Sequence, residues 1–298
     1  MKILMTGITG FIGHHLGERF VADGHEVHAI VRPTSKVHEL SENLRANVTF
    51  HVHEPDNTLL DIVTDLCVEN HRPDVVFHLA TNFKTAHRFE DIQNLIQTNI
   101  TFGTELLDAM AANNVYNFVN AGTFEQTIDD SLSPVNLYAA TKDCFEGIVK
   151  FYAASRNLKC IGLRLSDTYA ADDKSGRLLG RLRHSFLTGE VLQLSHEGSL
   201  VDLIYIDDAV EAFIVAGNIL AANKYDYCGT YDVGAARPFS LVEVVRTFED
   251  VAIKKLPVEW TGRYVSSNPR GVPKFLPNWQ PKTTLRDGIK KFLTINDN

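Results

Sequence analysis

Apolar residues in the first half of the chain follow two alternating rhythms. Short unbroken runs occur at Ile3-Leu4-Met5, Val27-His28-Ala29-Ile30-Val31, Val48-Thr49-Phe50, Val75-Val76-Phe77-His78-Leu79-Ala80 and Tyr116-Asn117-Phe118-Val119. Between them lie longer stretches whose apolar positions recur every three or four residues. One passes through Leu16 and Phe20, one covers about 59–69, and one spans 89–113 with Ile92, Leu95, Ile96, Ile100 and Leu107. A continuous apolar run suits a strand covered on both faces, and the three-to-four spacing suits an amphipathic helix. Their strict alternation predicts βαβ units on a parallel sheet, an α/β doubly wound fold. Beyond residue 166 the rhythm is less regular. The expected division is a first domain of 1–166, rejoined by 201–222, and a smaller substrate region over 167–298.

The first strand runs directly into Gly7-Ile8-Thr9-Gly10-Phe11-Ile12-Gly13, which opens the first helical pattern. A glycine-rich turn between a strand and a helix start is the setting a dinucleotide fingerprint requires. Gly7 permits a sharp turn, Gly10 leaves backbone N–H groups open to a pyrophosphate, and Gly13 lets the helix approach the sheet. The anion rests on the positive helix end. The expected sheet is therefore of the Rossmann type. An acid after the second strand serves the ribose hydroxyls of NAD, whereas an arginine accommodates a 2′-phosphate. Arg32 stands there, with Ser35 and Lys36 beyond Pro33. NADP(H) is the expected cofactor, with NAD as the alternative.

Composition narrows the partners. A length of 298 residues and 44% hydrophobic content allow a large core. The formal charge of −8, with no Lys/Arg block, argues against nucleic acid. No apolar run approaches the roughly 20 residues that span a bilayer. The first seven residues form a strand and not a leader. Cys67, Cys144, Cys160 and Cys228 are widely spaced, which suits free thiols in a reducing, cytoplasmic setting. His51 and His53 share a strand face, but no further ligand cluster accompanies them, so no metal is expected.

Tyr138 and Lys142 stand four apart at the start of a helical stretch and share one face. A phenol with a reference pKa of about 10 is a poor proton carrier at neutral pH. An adjacent ammonium favours the phenolate and brings it toward useful acid–base work. Thr123, at the end of the preceding strand, can hydrogen-bond the same substrate oxygen.

With Gly-x-x-Gly-x-x-Gly, His78-Leu79-Ala80-Thr81, Asn99-Ile100-Thr101-Phe102-Gly103-Thr104 and Tyr138-x-x-x-Lys142 in place, the chain resembles the extended short-chain dehydrogenases/reductases of the NAD-dependent epimerase/dehydratase family. Members act on nucleotide sugars. Tyr231-Asp232-Val233-Gly234, Ser240-Leu241-Val242-Glu243 and Asn278-Trp279-Gln280-Pro281 extend the likeness to the carboxyl-terminal part. The resemblance implies that Tyr138 is the acid/base and that Lys142 holds the nicotinamide ribose and lowers the tyrosine pKa. It also implies that Thr123 aligns the sugar oxygen and that Asn99 steadies the lysine through an ordered network. Cofactor contacts are expected from Gly7, Thr9, Gly10, Phe11, Ile12, Gly13, Arg32, Leu79, Ala80, Thr81, Asn99, Ala121, Tyr138, Lys142, Leu165 and Thr168. Thr123, Phe124, Glu125, Asp167 and Arg263 are the expected substrate contacts. A homodimer through the helices at 92–107 and 137–152 also follows from the resemblance.

Departures from the family pattern bear on the reaction. Asp167 replaces a usual asparagine, and Val201 stands where an arginine commonly contacts a diphosphate. Phe124 replaces the aspartate of sugar 4,6-dehydratases, which removes a proton donor for water elimination. Arg32 favours a consumed NADPH over a retained NAD. Reduction of a nucleotide-linked 4-keto-6-deoxyhexose is the expected reaction, with 4-epimerisation as the alternative. A small-ketone reductase and a non-catalytic NADP-binding regulator are the lesser ones.

Overall fold

The computed structural model describes residues 1–126, 134–222, 228–264 and 272–294. The first half alternates as expected: β1 (Lys2–Thr6), α1 (Phe11–Ala22), β2 (Glu26–Val31), α2 (Glu42–Asn47), β3 (Val48–Val52), α3 (Leu59–Val68) and β4 (Val75–His78). Next come α4 (Ile92–Ile96), α5 (Phe102–Ala112), β5 (Asn117–Thr123), α6 (Leu137–Arg156) and β6 (Lys159–Leu165). The less regular part holds β7 (Asp167–Tyr169), α7 (Leu178–Thr188), β8 (Leu192–Leu194), β9 (Leu200–Val201), β10 (Leu203–Tyr205) and α8 (Ile206–Ala221). It continues with β11 (Cys228–Val233), β12 (Phe239–Ser240), α9 (Leu241–Ala252), β13 (Val258–Trp260) and α10 (Leu285–Leu293).

Seven strands form one parallel sheet in the order β11-β6-β5-β4-β1-β2-β3. Strand order reverses on either side of β1, so the carboxyl ends of β1 and β4 diverge and leave a crevice. The seventh strand comes from 228–233, beyond the 201–222 segment expected to rejoin the sheet. Its parallel pairing with β6 needs the crossover that α8 supplies, and β9 and β10 instead pair with β12 and β7.

Each sheet face has its own core. Leu16 and Phe20 of α1, Leu44 of α2 and Phe213 of α8 cover one face with Met5 and Phe77. Ile62 of α3, Leu106 and Met110 of α5 and Phe145 of α6 cover the other with Leu4 and Phe118. A third cluster joins α7, α9 and α10 through Leu182, Phe248 and Phe292. The helix expected over 89–113 is interrupted by one π-helical turn at Gln97–Thr101. That turn carries buried Asn99, and π-turns of this kind commonly serve functional residues. Among the described residues no helix is long and apolar enough to cross a membrane. The four cysteines are free thiols.

Candidate active site

The crevice above β1 and β4 holds a cavity of about 670 Å³ lined from both halves of the chain. Its floor is the glycine turn. Gly7 has φ of +79°, and the Gly10 N–H donates to its carbonyl at 2.9 Å. A Cβ at Gly7 would lie 2.6 Å from the Ala80 nitrogen, and one at Gly13 would lie 2.0 Å from the Gly7 oxygen. Both side chains are therefore excluded by backbone. Gly10 caps α1 without a side-chain bond, which leaves first-turn N–H groups facing the cavity. This cradle fits a dinucleotide pyrophosphate.

Thr9, Phe11, Ile12, Arg32, Leu79, Ala80, Thr81, Ala121, Leu165 and Thr168 all line the same cavity. The exposed Arg32 side chain follows β2, and the Ser35 hydroxyl accepts from the Arg32 N–H at 3.0 Å. At the base, the Thr6 hydroxyl bonds His78 Nδ1 at 2.8 Å and accepts from the Ala80 N–H at 3.2 Å. His78 is wholly buried, and that burial, helped by the Lys142 charge, pushes its imidazole down to about 3. It is a neutral structural histidine.

Asn99 does not line the cavity. Its Oδ1 accepts from the Asn82 N–H at 2.7 Å and the Thr81 hydroxyl at 3.0 Å. Its Nδ2 donates to the Asn82 carbonyl at 3.0 Å and the Thr141 hydroxyl at 2.9 Å. The expected support of Lys142 is thus indirect. Asn99 ties the loop after β4 to the residue preceding the lysine.

Two elements bring the catalytic candidates together. β5 ends at Thr123, whose N–H donates to Gln126 Oε1 at 2.8 Å. Gln126 in turn donates to Glu146 at 3.0 Å, and Glu146 is paired with Arg164 at 3.0 Å. On the other side, Asn136 caps α6 by accepting from the Ala139 N–H at 2.8 Å, and its Nδ2 donates to Glu125 Oε2 at 2.9 Å. One asparagine therefore fixes the Thr123–Glu125 corner against the helix that carries Tyr138 and Lys142. Thr123, Phe124, Glu125, Tyr138 and Lys142 all face the cavity.

The electrostatics depart from expectation. Burial pushes the Tyr138 phenol up to about 12, with a Thr81 hydrogen bond and Arg177 opposing and Glu125 adding to the rise. Lys142 is 2% exposed, and burial pushes its ammonium down to about 8. Lys142 does not figure among the groups that shift the phenol, and the anticipated lowering gives way to desolvation. Desolvation disfavours the charged form of both groups.

The opposite wall comes from the irregular half. Asp167 faces the cavity, and enclosure there pushes its carboxyl up to about 6 against the pull of Arg177. Arg177 reaches the Thr168 carbonyl at 2.7 Å and Asp173 at 3.2 Å, and its guanidinium stacks 5.7 Å from the Phe11 ring. Motif reading missed Arg177, a lone arginine in an irregular stretch. Arg263 does not line this cavity; it is exposed, and its carbonyl accepts from the His196 N–H at 2.9 Å.

His51 of β3 and His53 just beyond it separate. His53 lines the cavity, whereas His51 Nε2 meets His28 Nδ1 at 2.9 Å. Among the described residues neither belongs to a ligand cluster, but strand register and the turn after α3 bring ligand atoms of Glu26, His28 and His71 within 4.8 Å of one another. Their separation along the chain hid that convergence.

Sheet order, glycine cradle and the threonine–tyrosine–lysine group together define a dinucleotide-dependent enzyme of the extended short-chain dehydrogenase/reductase class. Residues 3–233 match the model of the NAD dependent epimerase/dehydratase family, and the chain belongs to that family. Protein CapI of Staphylococcus aureus is 26% identical over 98% of this chain and 97% of its own length. CDP-abequose synthase of Salmonella muenchen is 23% identical over 99% and 98%. The solved UDP-glucose 4-epimerase of Thermotoga maritima superposes with a TM-score of 0.79 at 22% identity, covering 97% and 96% of the two chains. As a member of that family the chain is an enzyme of the nicotinamide-dependent type.

Proposed function

We propose that the enzyme is an NADPH-dependent 4-ketoreductase acting on a nucleotide-linked 4-keto-6-deoxyhexose. The observation that carries this reading is Arg32, which lines the cavity at the end of β2; Tyr138, buried and raised above the ordinary phenol value, suits the acid role. Reduction of a ketone starts with a proton donor in its acid form, whereas oxidation of a sugar hydroxyl, the first step of 4-epimerisation, starts with a base. Arg32 and Ser35 support NADPH, because a guanidinium and a hydroxyl occupy the β2 end where an acid would select NAD.

The glycine turn, Arg32, Leu79–Thr81, Ala121 and Leu165–Thr168 would hold the cofactor, which supplies a hydride. Thr123 and Tyr138 hydrogen-bond the ketone oxygen and orient it. Tyr138 then gives its proton to that oxygen as negative charge develops, and Lys142 stabilises the phenolate left behind. Phe124 gives the reacting corner an apolar wall where a dehydratase places an acid. Glu125, Asp167 and Arg177 address the sugar and its diphosphate, with Arg177 3.8 Å from the Asp167 carboxylate. Arg263 remains a candidate phosphate contact only for a substrate that extends beyond this cavity. The working form is a cytoplasmic homodimer, with exposed Ile96 and Phe151 at its interface; a monomeric mass by light scattering would remove that part.

A panel of nucleotide-4-keto-6-deoxysugars offered with NADPH or NADH tests the reading. Loss of reduced-cofactor absorbance is expected with one member and with NADPH preferred. Tyr138→Phe should lower that turnover roughly 10²–10⁴-fold, and Arg32→Glu should shift preference toward NADH. Interconversion of sugars without net cofactor oxidation would assign a 4-epimerase instead.

A further inference from the structure

At the amino-terminal end of β2, away from the catalytic crevice, two imidazoles from different segments aim at one point. His28 Nε2 lies 3.0 Å from Glu26 Oε1, and His71 Nδ1 contacts the same oxygen. We propose that Glu26, His28 and His71 form a binding site for a divalent cation of the zinc class, with one position left for water.

Three features carry this. The donor set of two histidines and one glutamate is a common zinc set. Nitrogen and oxygen ligands about 2.0–2.1 Å from a tetrahedral ion lie roughly 3.3 Å from each other, and the three atoms here already sit within 4.8 Å. Convergence matters as much as proximity. The trio of His14, His15 and Asp172 also brings its ligand atoms within 4.8 Å, but there each histidine takes a different oxygen of one carboxylate, at 2.9 and 3.1 Å, whereas His28 and His71 share one oxygen.

The supporting shell is also present. His28 is 5% exposed, and its Nδ1 meets His51 Nε2 at 2.9 Å. One ring of that pair donates and the other accepts, and His28 Nδ1–H can donate to His51 Nε2. That hydrogen bond would leave His28 Nε2 as the bare ligand nitrogen. His71 is presented by a turn in which Asn70 has φ of +65° and the His71 N–H donates to the Leu66 carbonyl at 2.7 Å. Arg72 anchors that turn to the Asn113 carbonyl at 2.7 Å. Lys2 lies close to Glu26 and opposes a cation, while Glu69 and Asp65 near His51 favour one. Arg32, on the crevice, is four residues from His28, on the order of 13 Å along the strand. The bound ion would therefore staple β2 to the turn after α3 and leave the chemistry untouched.

The test uses the tag-free full chain, stripped with chelator and titrated with Zn²⁺ by calorimetry and with Co²⁺ by visible absorption. The expected result is one ion per chain, a tetrahedral Co²⁺ band, and a higher melting temperature with Zn²⁺. His71→Ala and Glu26→Gln should each weaken binding at least tenfold, and His51→Ala roughly 10–100-fold. His14→Ala should leave binding unchanged. Absence of stoichiometric binding at tens of micromolar Zn²⁺ would overturn the proposal. So would binding indifferent to His71→Ala, or binding lost in His14→Ala.

Discussion

Asn136 joins the two halves of the reacting corner, and its removal separates two effects that can be measured. As the cap of α6 it satisfies the Ala139 N–H, a contribution of about 1 kcal/mol. As a donor to Glu125 it makes a charge-assisted bond in a half-buried setting, worth about 1.5 kcal/mol. Asn136→Ala removes both. For a chain of 298 residues, a loss of about 2.5 kcal/mol lowers the melting temperature by roughly 4 °C. Asn136→Asp retains the cap oxygen, and its charge suits a helix start. It loses the amide donor, however, and sets a second carboxylate against Glu125, a repulsion of several kcal/mol before any rearrangement. Adding Glu125→Gln to Asn136→Asp exchanges donor and acceptor and restores one hydrogen bond. By thermal unfolding, the exchanged pair should recover most of the stability that the single Asp variant loses. An Asn136→Ala variant that melts within 1 °C of wild type, or an exchanged pair no more stable than Asn136→Asp, would refute this coupling.

Two further outcomes follow from the buried charges. Lys142→Met should abolish turnover yet stabilise the fold at pH 7. With the folded pKa near 8 below the unfolded reference, the unfolded chain binds more protons between those values, so wild-type stability rises with pH there and the gain from Met should shrink toward pH 10.5. Denaturant midpoints at pH 7 and 10 check this, and an equal gain at both would refute it. Asp167→Asn works in the opposite window. A folded pKa of about 6, above the unfolded value, means stability is fully present at pH 3.8 and below and is lost as pH rises through 6. The Asn variant should melt higher than wild type at pH 7.5 and equally at pH 3.5; a pH-independent difference would exclude Asp167 as its source.

The sheet, the crevice and the placement of Thr123, Tyr138 and Lys142 were legible along the chain, because each depends on short-range order. An apolar run makes a buried strand, a glycine makes a turn that a Cβ cannot enter, and a four-residue spacing puts two side chains on one helix face. The seventh strand, β11, lies beyond the segment expected to rejoin the first domain, because only its pairing with β6, distant in sequence, sets it in the sheet. Tertiary structure alone decided how charge behaves at the site. The phenol rises and the lysine falls because both are enclosed by elements distant in sequence, and desolvation depends on what surrounds a group in space. Asn99, carried on a π-turn, reaches Thr141 beside Lys142, a partner only packing could supply. The same holds for Arg177 against Phe11 and for Glu26, His28 and His71 around one point. Neighbours brought together by strand register and loop closure carry no periodic signature, so the chain's own pattern determined the scaffold while packing determined the chemistry placed on it.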